Sequence, residues 1–207
     1  MIYLNFIPNH FFDTLLLSTI SKKNTFIIVG NNLGDVNVDS LYQEYSGMVY
    51  NIALQYVQNI EDAEEITQDV FVLIHYNLNN YTHQAHIKTW IYRIVINKSL
   101  DHIKFKSRQK RFSFITSLFT EVKNDHHFSI TEFDHPGVML EQKEAIKHIF
   151  DGINQLPSNQ KTALILSKIE AKSQLEIAEI MELSPKAVES LIQRGKSKLK
   201  IILHFTE

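Results

Sequence analysis

The chain has 207 residues, 44% of them apolar and 21% charged, with 21 Lys and Arg against 23 Asp and Glu, a balance that excludes disorder throughout and leaves room for one large or two small domains. With six Gly and four Pro, too few for many tight turns, helices are favoured over short strands. The absence of Cys excludes disulfides, thiolate zinc sites and a Cys nucleophile.

Residues 1–36 mix apolar and polar residues without a sustained period and carry no assignable role. Phe11–Ile20 is broken by Asp13, and Lys22 and Lys23 follow rather than precede it, so neither a membrane span nor a signal peptide is expected and a cytoplasmic protein is. From Leu41 the spacing of Leu41, Tyr45, Met48, Ile52 and Tyr56 predicts an amphipathic helix. A second helix begins near Glu61 with an acidic first turn and turns Ala63, Ile66, Val70, Leu73 and Ile74 inward, ending at 77–80. After a loop from Tyr81 to His86, a third runs from Ile87 through Trp90, Ile91, Ile94 and Val95 toward Ile103, fading into a basic run. These three helices form one unit, over residues 37–111.

Residues 112–140, rich in Ser, Thr, Asn, Asp and His with Pro136-Gly137, read as a flexible linker. Helical spacing resumes from Glu141 with Ile146, Ile149, Ile153 and Leu156, breaks at Pro157-Ser158, and resumes with Ala163, Leu166 and Ile169. Ser173–Glu182 forms a short helix, and Ser184-Pro185 restarts the chain as N-cap and first helical residue. The second unit, 141–207, therefore carries a helix-turn-helix, a motif that holds its second helix out for DNA. Lys186, Glu189, Ser190, Gln193, Arg194 and Lys196 occupy its polar face, with side chains suited to base edges and phosphates. A plain helical hairpin with a solvated face fits the same pattern. Gly195, unfavourable in a helix by about 1 kcal/mol relative to Ala, points to a close helix contact or to sequence drift.

Charge is segregated along the chain. Asp35–Asp69 holds eight acidic residues and no Lys or Arg; Lys98–Arg111 holds Lys98, Lys104, Lys106, Arg108, Lys110 and Arg111 against Asp101 alone. A protein partner and a polyanionic partner are the natural counterparts.

Enzyme motifs are not supported. Gly195-Lys196-Ser197 lacks the Gly that a phosphate-binding loop needs five residues earlier, where Ser190 stands. The His clusters, His83/His86 and His126/His127/His135, sit in loops without metal-site spacing. No catalytic residue, metal or cofactor is expected. Two readings of a chain with a helix-turn-helix and segregated charge are a regulator of the response-regulator type, which needs a phospho-acceptor α/β domain, and a nuclease, which needs a metal-binding carboxylate cluster outside the acidic helix.

The segments Asp62-Ala63-Glu64-Glu65-Ile66-Thr67-Gln68-Asp69-Val70-Phe71 and Lys88-Thr89-Trp90-Ile91-Tyr92-Arg93-Ile94-Val95-Ile96-Asn97, with Leu100-Asp101-His102, resemble region 2 of the extracytoplasmic-function sigma factors of the sigma-70 family. Leu156-Pro157 with Gln160, Gln174–Met181 and Val188-Glu189-Ser190-Leu191 resemble its region 4. The resemblance spans about residues 38–203 in the family's order, linker included. It implies an all-α promoter-specificity subunit of two small helical domains, which binds core RNA polymerase and promoter DNA, with an anti-sigma factor as a further partner.

By that resemblance, Asp62, Glu65, Gln68 and Asp69 face the clamp coiled coil of the polymerase β′ subunit, and region 4 meets the β flap. Tyr81, Lys88, Trp90, Arg93, Asn97, Lys104, Arg108 and Arg111 serve −10 recognition and melting, in which an aromatic stacks on an extruded base and an Asn amide reads its edge. Trp90 fits the apolar core equally well. Lys186, Glu189, Ser190, Gln193, Arg194 and Lys196 serve the −35 element. Thr82 and His83 stand where the family often has a basic residue and Gly, Ala171 where Gly is common, Gly195 where Ala is, and Glu189 where Arg often is.

Overall fold

The computed structural model describes residues 37–81, 85–119 and 140–204. Among these the chain is helical with no strand. The N-terminal segment, Thr82, His83, the His126/His127/His135 cluster and Pro136-Gly137 lie outside the described residues.

Helix α1, Val38–Val57, starts where Asn37 and Ser40 form a reciprocal capping box, Ser40 N donating to Asn37 Oδ1 at 2.7 Å. It ends at Gln58, whose left-handed φ of 54° turns the chain. Asn59 then caps α2, Ile60–Asn77, accepting from Asp62 N at 2.7 Å. So short a connection makes the two helices antiparallel neighbours. A 3₁₀ turn, Leu78–Asn80, closes α2, and α3, Ile87–Phe119, packs across both. Leu41, Val49, Ile52, Ile66, Val70, Phe71, Ile74, Ile91 and Val95 fill the space between them.

Helix α3 extends past the expected boundary at 112 and runs to Phe119. The linker expected over 112–140 thus begins inside a helix. The apolar period fades after Ile103, but Lys, Arg and Gln are good helix formers without any apolar face, so the helix outlasts the pattern that predicts it.

The second unit comprises α4 (Leu140–Asn154), α5 (Ser158–Leu164) continued by a π turn (Ile165–Ile169), α6 (Gln174–Met181) and α7 (Pro185–His204). Pro157 separates α4 from α5 as its sequence predicts. Gly195 sits where a Cβ would meet Leu164 Cδ1 at 3.0 Å, so the close helix contact is real: α7 lies against α5 at a point where an added methyl would require the Leu164 side chain to shift.

The two units do not stand apart. Buried residues from Leu41 to Val188 form one continuous cluster, and polar groups knit the seam. The Lys161 ammonium, 4% exposed, donates to the Tyr56 carbonyl at 3.0 Å and to Asn154 Oδ1 at 2.6 Å. It thereby caps the C-terminal end of α1 from the other unit, where the helix dipole favours a cation. The Tyr56 hydroxyl donates to Thr162 Oγ1 at 2.8 Å.

Two predictions follow from this geometry. Burial without a carboxylate partner lowers the Lys161 pKa from its ordinary 10.5 to about 8. Below that value the amine is charged both in the fold and in the unfolded chain, and its burial opposes folding. Between about 8 and 10.5 it is neutral in the fold while the unfolded chain still binds the proton, so stability must rise with pH across that window. Urea unfolding at about pH 7 and about pH 9.5 should show the chain gaining stability relative to its Lys161→Met variant; parallel pH profiles would refute the assignment. Second, Ala171 holds a left-handed φ of 51°, a conformation that costs a residue with a Cβ roughly 1–2 kcal/mol. Ala171→Gly should stabilise the fold by about 0.5–1 kcal/mol after glycine's greater unfolded-state entropy is deducted, read as a higher thermal midpoint.

Candidate polymerase and promoter-DNA interface

The three groups of side chains that the resemblance assigns to three partners fall on three surfaces. The first is α2. Glu65 is exposed and Gln68 is partly buried. Asp62 and Asp69 turn toward α3: Lys106 donates to both Asp62 oxygens at 2.6 and 2.8 Å, and Lys98 pairs with Asp69 at 2.8 Å. His102 Nε2 lies 3.4 Å from Asp62 Oδ1. Half of the expected polymerase-facing set therefore also fastens α2 to α3, and part of the basic run is neutralised within the same unit. A linear charge count cannot show that, because the partners lie about ten turns of helix apart in sequence.

The second surface is α3. Trp90, Arg93, Asn97, Lys104, Arg108 and Arg111 follow one another at spacings of three, four or seven residues, which places them in one stripe down the helix. Asn97, Lys104, Arg108 and Arg111 are exposed along it; Lys104 also pairs with Asp101 at 3.1 Å, and Arg111 Nε donates to the Ser107 carbonyl at 3.3 Å. Trp90 is half-buried against the core, with its ring centroid 5.2 Å from that of Tyr81. It does both things its sequence position allowed: one face belongs to the core, and the rest supports a second aromatic at the head of the stripe. The Tyr81 hydroxyl donates to the Ala85 carbonyl, tying together the two ends of the loop between α2 and α3.

Lys88 is the exception. Two residues before Trp90 it falls on the other side of α3, where it lines an open cleft of about 450 Å³ with Glu44, Tyr45, Met48, Asn51, Tyr92, Glu170 and Lys172. The helical period, applied strictly, would have set it apart.

The third surface is the helix-turn-helix. Helix α6 begins with a capping box in which Ser173 N donates to Glu176 Oε2 at 2.8 Å and Glu176 N to Ser173 Oγ at 3.3 Å. Those bonds to Ser173 hold the Glu176 carboxyl below its usual range. The turn is made by Glu182 in the left-handed conformation, φ 56°, and Ser184 caps α7 by accepting from Ala187 N at 3.2 Å. Gln174 Nε2 donates to the Pro185 carbonyl at 3.1 Å, bracing the two helices. With Val188 and Gly195 buried and Ile192 and Leu199 packed on the core, Lys186, Glu189, Ser190, Gln193, Arg194 and Lys196 are all exposed on the opposite face. Arg194 Nε donates to its own helix at the Ser190 carbonyl, 3.2 Å.

One set of contacts had no sequence signal. Arg93, at the head of the α3 stripe, is bound by α6: Nη1 lies 2.6 Å from Glu182 Oε1, and Nη2 donates to the Glu179 carbonyl at 2.8 Å. Beside it the Tyr92 hydroxyl donates to Glu170 Oε2 at 2.9 Å, and Gln55 Nε2 donates to Glu170 Oε1 at 2.6 Å. Burial, reinforced by the Glu170 charge, pushes the Tyr92 hydroxyl well above the usual phenol range and keeps it a donor.

Comparison with known proteins bears directly on these surfaces. Residues 41–109 match the family model of sigma-70 region 2, and residues 149–199 match that of sigma-70 region 4. The RNA polymerase sigma-H factor of Pseudomonas aeruginosa is 27% identical over 162 residues, 78% of this chain and 83% of the relative. The extracytoplasmic-function sigma factor SigW of Bacillus subtilis is 26% identical over 161 residues, covering 75% and 83%. Among solved structures, the fold is similar to the sigma factor RpoE in complex with the anti-sigma factor NepR from Bartonella quintana, with a TM-score of 0.57, 17% identity, and 80% and 96% of the two chains covered. It is equally similar to CnrH in complex with the cytosolic domain of CnrY, with a TM-score of 0.57, 19% identity, and 94% and 99% covered. With regions 2 and 4 both matched and in the family's order, the chain belongs to the sigma-70 family, as an RNA polymerase sigma factor of the extracytoplasmic-function group.

Proposed function

We propose that this sigma factor directs core polymerase to promoters through the three surfaces just described, with no catalytic chemistry of its own. Region 2, residues 37–111, supplies the first two; region 4, residues 141–207, supplies the third; the segment between them is the linker, and residues 1–36 have no assigned part. The exposed side of α2, with Glu65 and Gln68 foremost and Asp62 and Asp69 behind them, docks on the β′ clamp coiled coil, while region 4 meets the β flap. The α3 stripe receives the −10 strand: Tyr81 stacks on an extruded base, Asn97 reads its edge, and Lys104, Arg108 and Arg111 track phosphates. Lys88 stands off that track and belongs to the cleft. The outer face of α7 enters the major groove at the −35 element, with Glu189 and Gln193 toward base edges and Lys186, Ser190, Arg194 and Lys196 toward bases or backbone.

The single observation that carries this reading is the stripe. An aromatic pair, an amide and a run of cations share one face of a continuous helix, in the same chain as a helix-turn-helix whose polar face is exposed. The sites of action are those of DNA and polymerase, the cytoplasm; among the described residues no helix is long and apolar enough to cross a membrane. An anti-sigma factor is a further partner, a reading supported by the similar solved structure of the sigma factor RpoE, which is held in complex with the anti-sigma factor NepR.

Adding the purified chain to core polymerase and sequencing the transcripts should reveal discrete start sites that share −35 and −10 elements and that core polymerase alone does not use. Unchanged start sites would overturn the proposal. Glu65→Lys isolates the α2 surface, because Glu65 is exposed whereas Asp62 and Asp69 also hold α3; it should weaken competition for core polymerase while the unfolding midpoint stays within about 0.5 kcal/mol of the parent. Tyr81→Ala with Asn97→Ala should still bind core polymerase yet fail on duplex promoters. Transcription should return in part on templates already mismatched across the −10 region, where the opening cost of a few kcal/mol is removed; equal activity of variant and parent on duplex DNA would leave both residues as packing.

A further inference from the structure

The promoter reading leaves two aromatic rings of α3 unused. Phe105 is 53% exposed and Phe112 74%, on a stretch of helix otherwise made of Lys, Arg, Ser and Gln. Apolar side chains scattered singly over a surface are ordinary; these two are not scattered. Arg108 lies three residues after Phe105 and four before Phe112, so the three share one line along α3. Lys104 and Arg111, each one residue before a ring, run parallel to that line one helical row away. Resting on the reading of α3 as the −10 strand site, we propose that this strip is a second strand site beyond the base-capture pocket: Phe105 and Phe112 each stack on an unpaired base of single-stranded DNA, and Arg108 holds the phosphate between them.

The surroundings of the rings select that occupant. From His102 to Phe112 the sequence contains no Asp or Glu, and Lys104, Arg108, Lys110 and Arg111 are exposed. Lys106 is held by α2 through Asp62; Arg108 is in no ion pair among the described residues. An apolar protein face laid on the strip would bury those cations without partners, which is costly, whereas a phosphate backbone answers them. Seven residues at 1.5 Å each put the rings about 10 Å apart along the axis, two platforms with a guanidinium midway rather than one continuous groove. Every base has a π-face, so platforms of this kind take any sequence, while the Arg fork matches phosphate oxygens. A duplex hides those faces, and the strip therefore tells single strands from double. The helix continues to Phe119, so Phe112 stands on an ordered turn and not at a frayed end. Both rings are exposed with the two units packed as they are, and the site needs no rearrangement.

The probe is fluorescein-labelled oligothymidylate, titrated by anisotropy against the full-length chain over a salt series. Phe105→Ala with Phe112→Ala should lower the affinity about ten- to a hundred-fold and leave the slope of log affinity against log salt unchanged, because no charge is lost. Arg108→Gln should make that slope shallower by about 0.7. Phe105→Trp with Phe112→Trp should keep the parent's affinity, and oligothymidylate should quench its fluorescence more than that of the parent, whose one Trp is Trp90; Phe105→Leu with Phe112→Leu should bind as weakly as the Ala pair. An Ala pair that binds like the parent, a Leu pair that binds like the Trp pair, or an equal loss on a duplex of the same length would each overturn the proposal. So would weaker competition for core polymerase with the oligonucleotide affinity unmoved, which would make the strip a protein surface. Promoter-directed transcription by the parent is measured in parallel: its absence strikes the functional reading, whereas quenching and affinity are read on the chain alone.

Discussion

The C-terminal turn of α1 is the point on which the arrangement of the two helical units depends. There Lys161 leaves water to cap α1 through the Tyr56 carbonyl, with Asn154 as its other acceptor, and the Tyr56 hydroxyl reaches Thr162. No carboxylate answers the charge. Taking an ammonium out of water is expensive, and two neutral acceptors and a helix dipole return only part of that. The Tyr56 ring, with its centroid 5.1 Å from the ammonium, adds a cation–π attraction. The junction is therefore specific in geometry and modest in net stabilisation.

That economy extends to α3, which serves two masters. Its inward residues, Ile91 and Val95, belong to the region 2 core, and Lys98 and Lys106 tie it to α2 through Asp69 and Asp62. Its outward stripe is left polar and largely exposed. Lys98 and Lys106 are paired with α2, so the exposed positive charge of the basic run lies mainly on Lys104, Arg108, Lys110 and Arg111, of which Lys104 also pairs with Asp101. The same pairing explains how an acidic helix and a basic helix can be neighbours without leaving a wide field of either sign.

Much of this was legible in the sequence, and the parts that were not share a cause. Helices α1 and α2 announce themselves through Leu41, Tyr45, Ile52, Ala63, Ile66 and Val70, because a three-to-four residue apolar period has few other solutions. Ser184-Pro185 marks the start of α7, and Gly195 marks its tight approach to Leu164. The end of α3 was missed because a solvated helix of Lys, Arg and Gln carries no apolar signature. The partners of Asp62, Asp69 and Arg93 were missed because an ion pair between distant segments leaves no trace in local pattern. Family likeness assigned these residues to outside partners; only the fold shows that each already has one inside.

The strength of the seam bears on how such a chain reaches polymerase. Exposed ion pairs such as Arg93 with Glu182, whose side chain is 70% exposed, are worth about 0–1 kcal/mol, and individual hydrogen bonds net about 0.5–1.5 kcal/mol. The bonds to Glu170, Thr162 and the Tyr56 carbonyl add further small amounts, offset by the burial of Lys161 and by Arg93 Nε and Gln55 Oε1, which have no hydrogen-bond partner among the described residues. The larger contribution is apolar, since Ile165, Leu166, Ile177 and Val188 share one buried cluster with Ile52 and Val95, and a fully buried side chain of this size is worth about 1.5–3 kcal/mol. A partner that needs the two units apart loses affinity by the cost of opening that seam, a penalty that two docking surfaces on one polymerase would offset, since engagement of the first would make the second an intramolecular event.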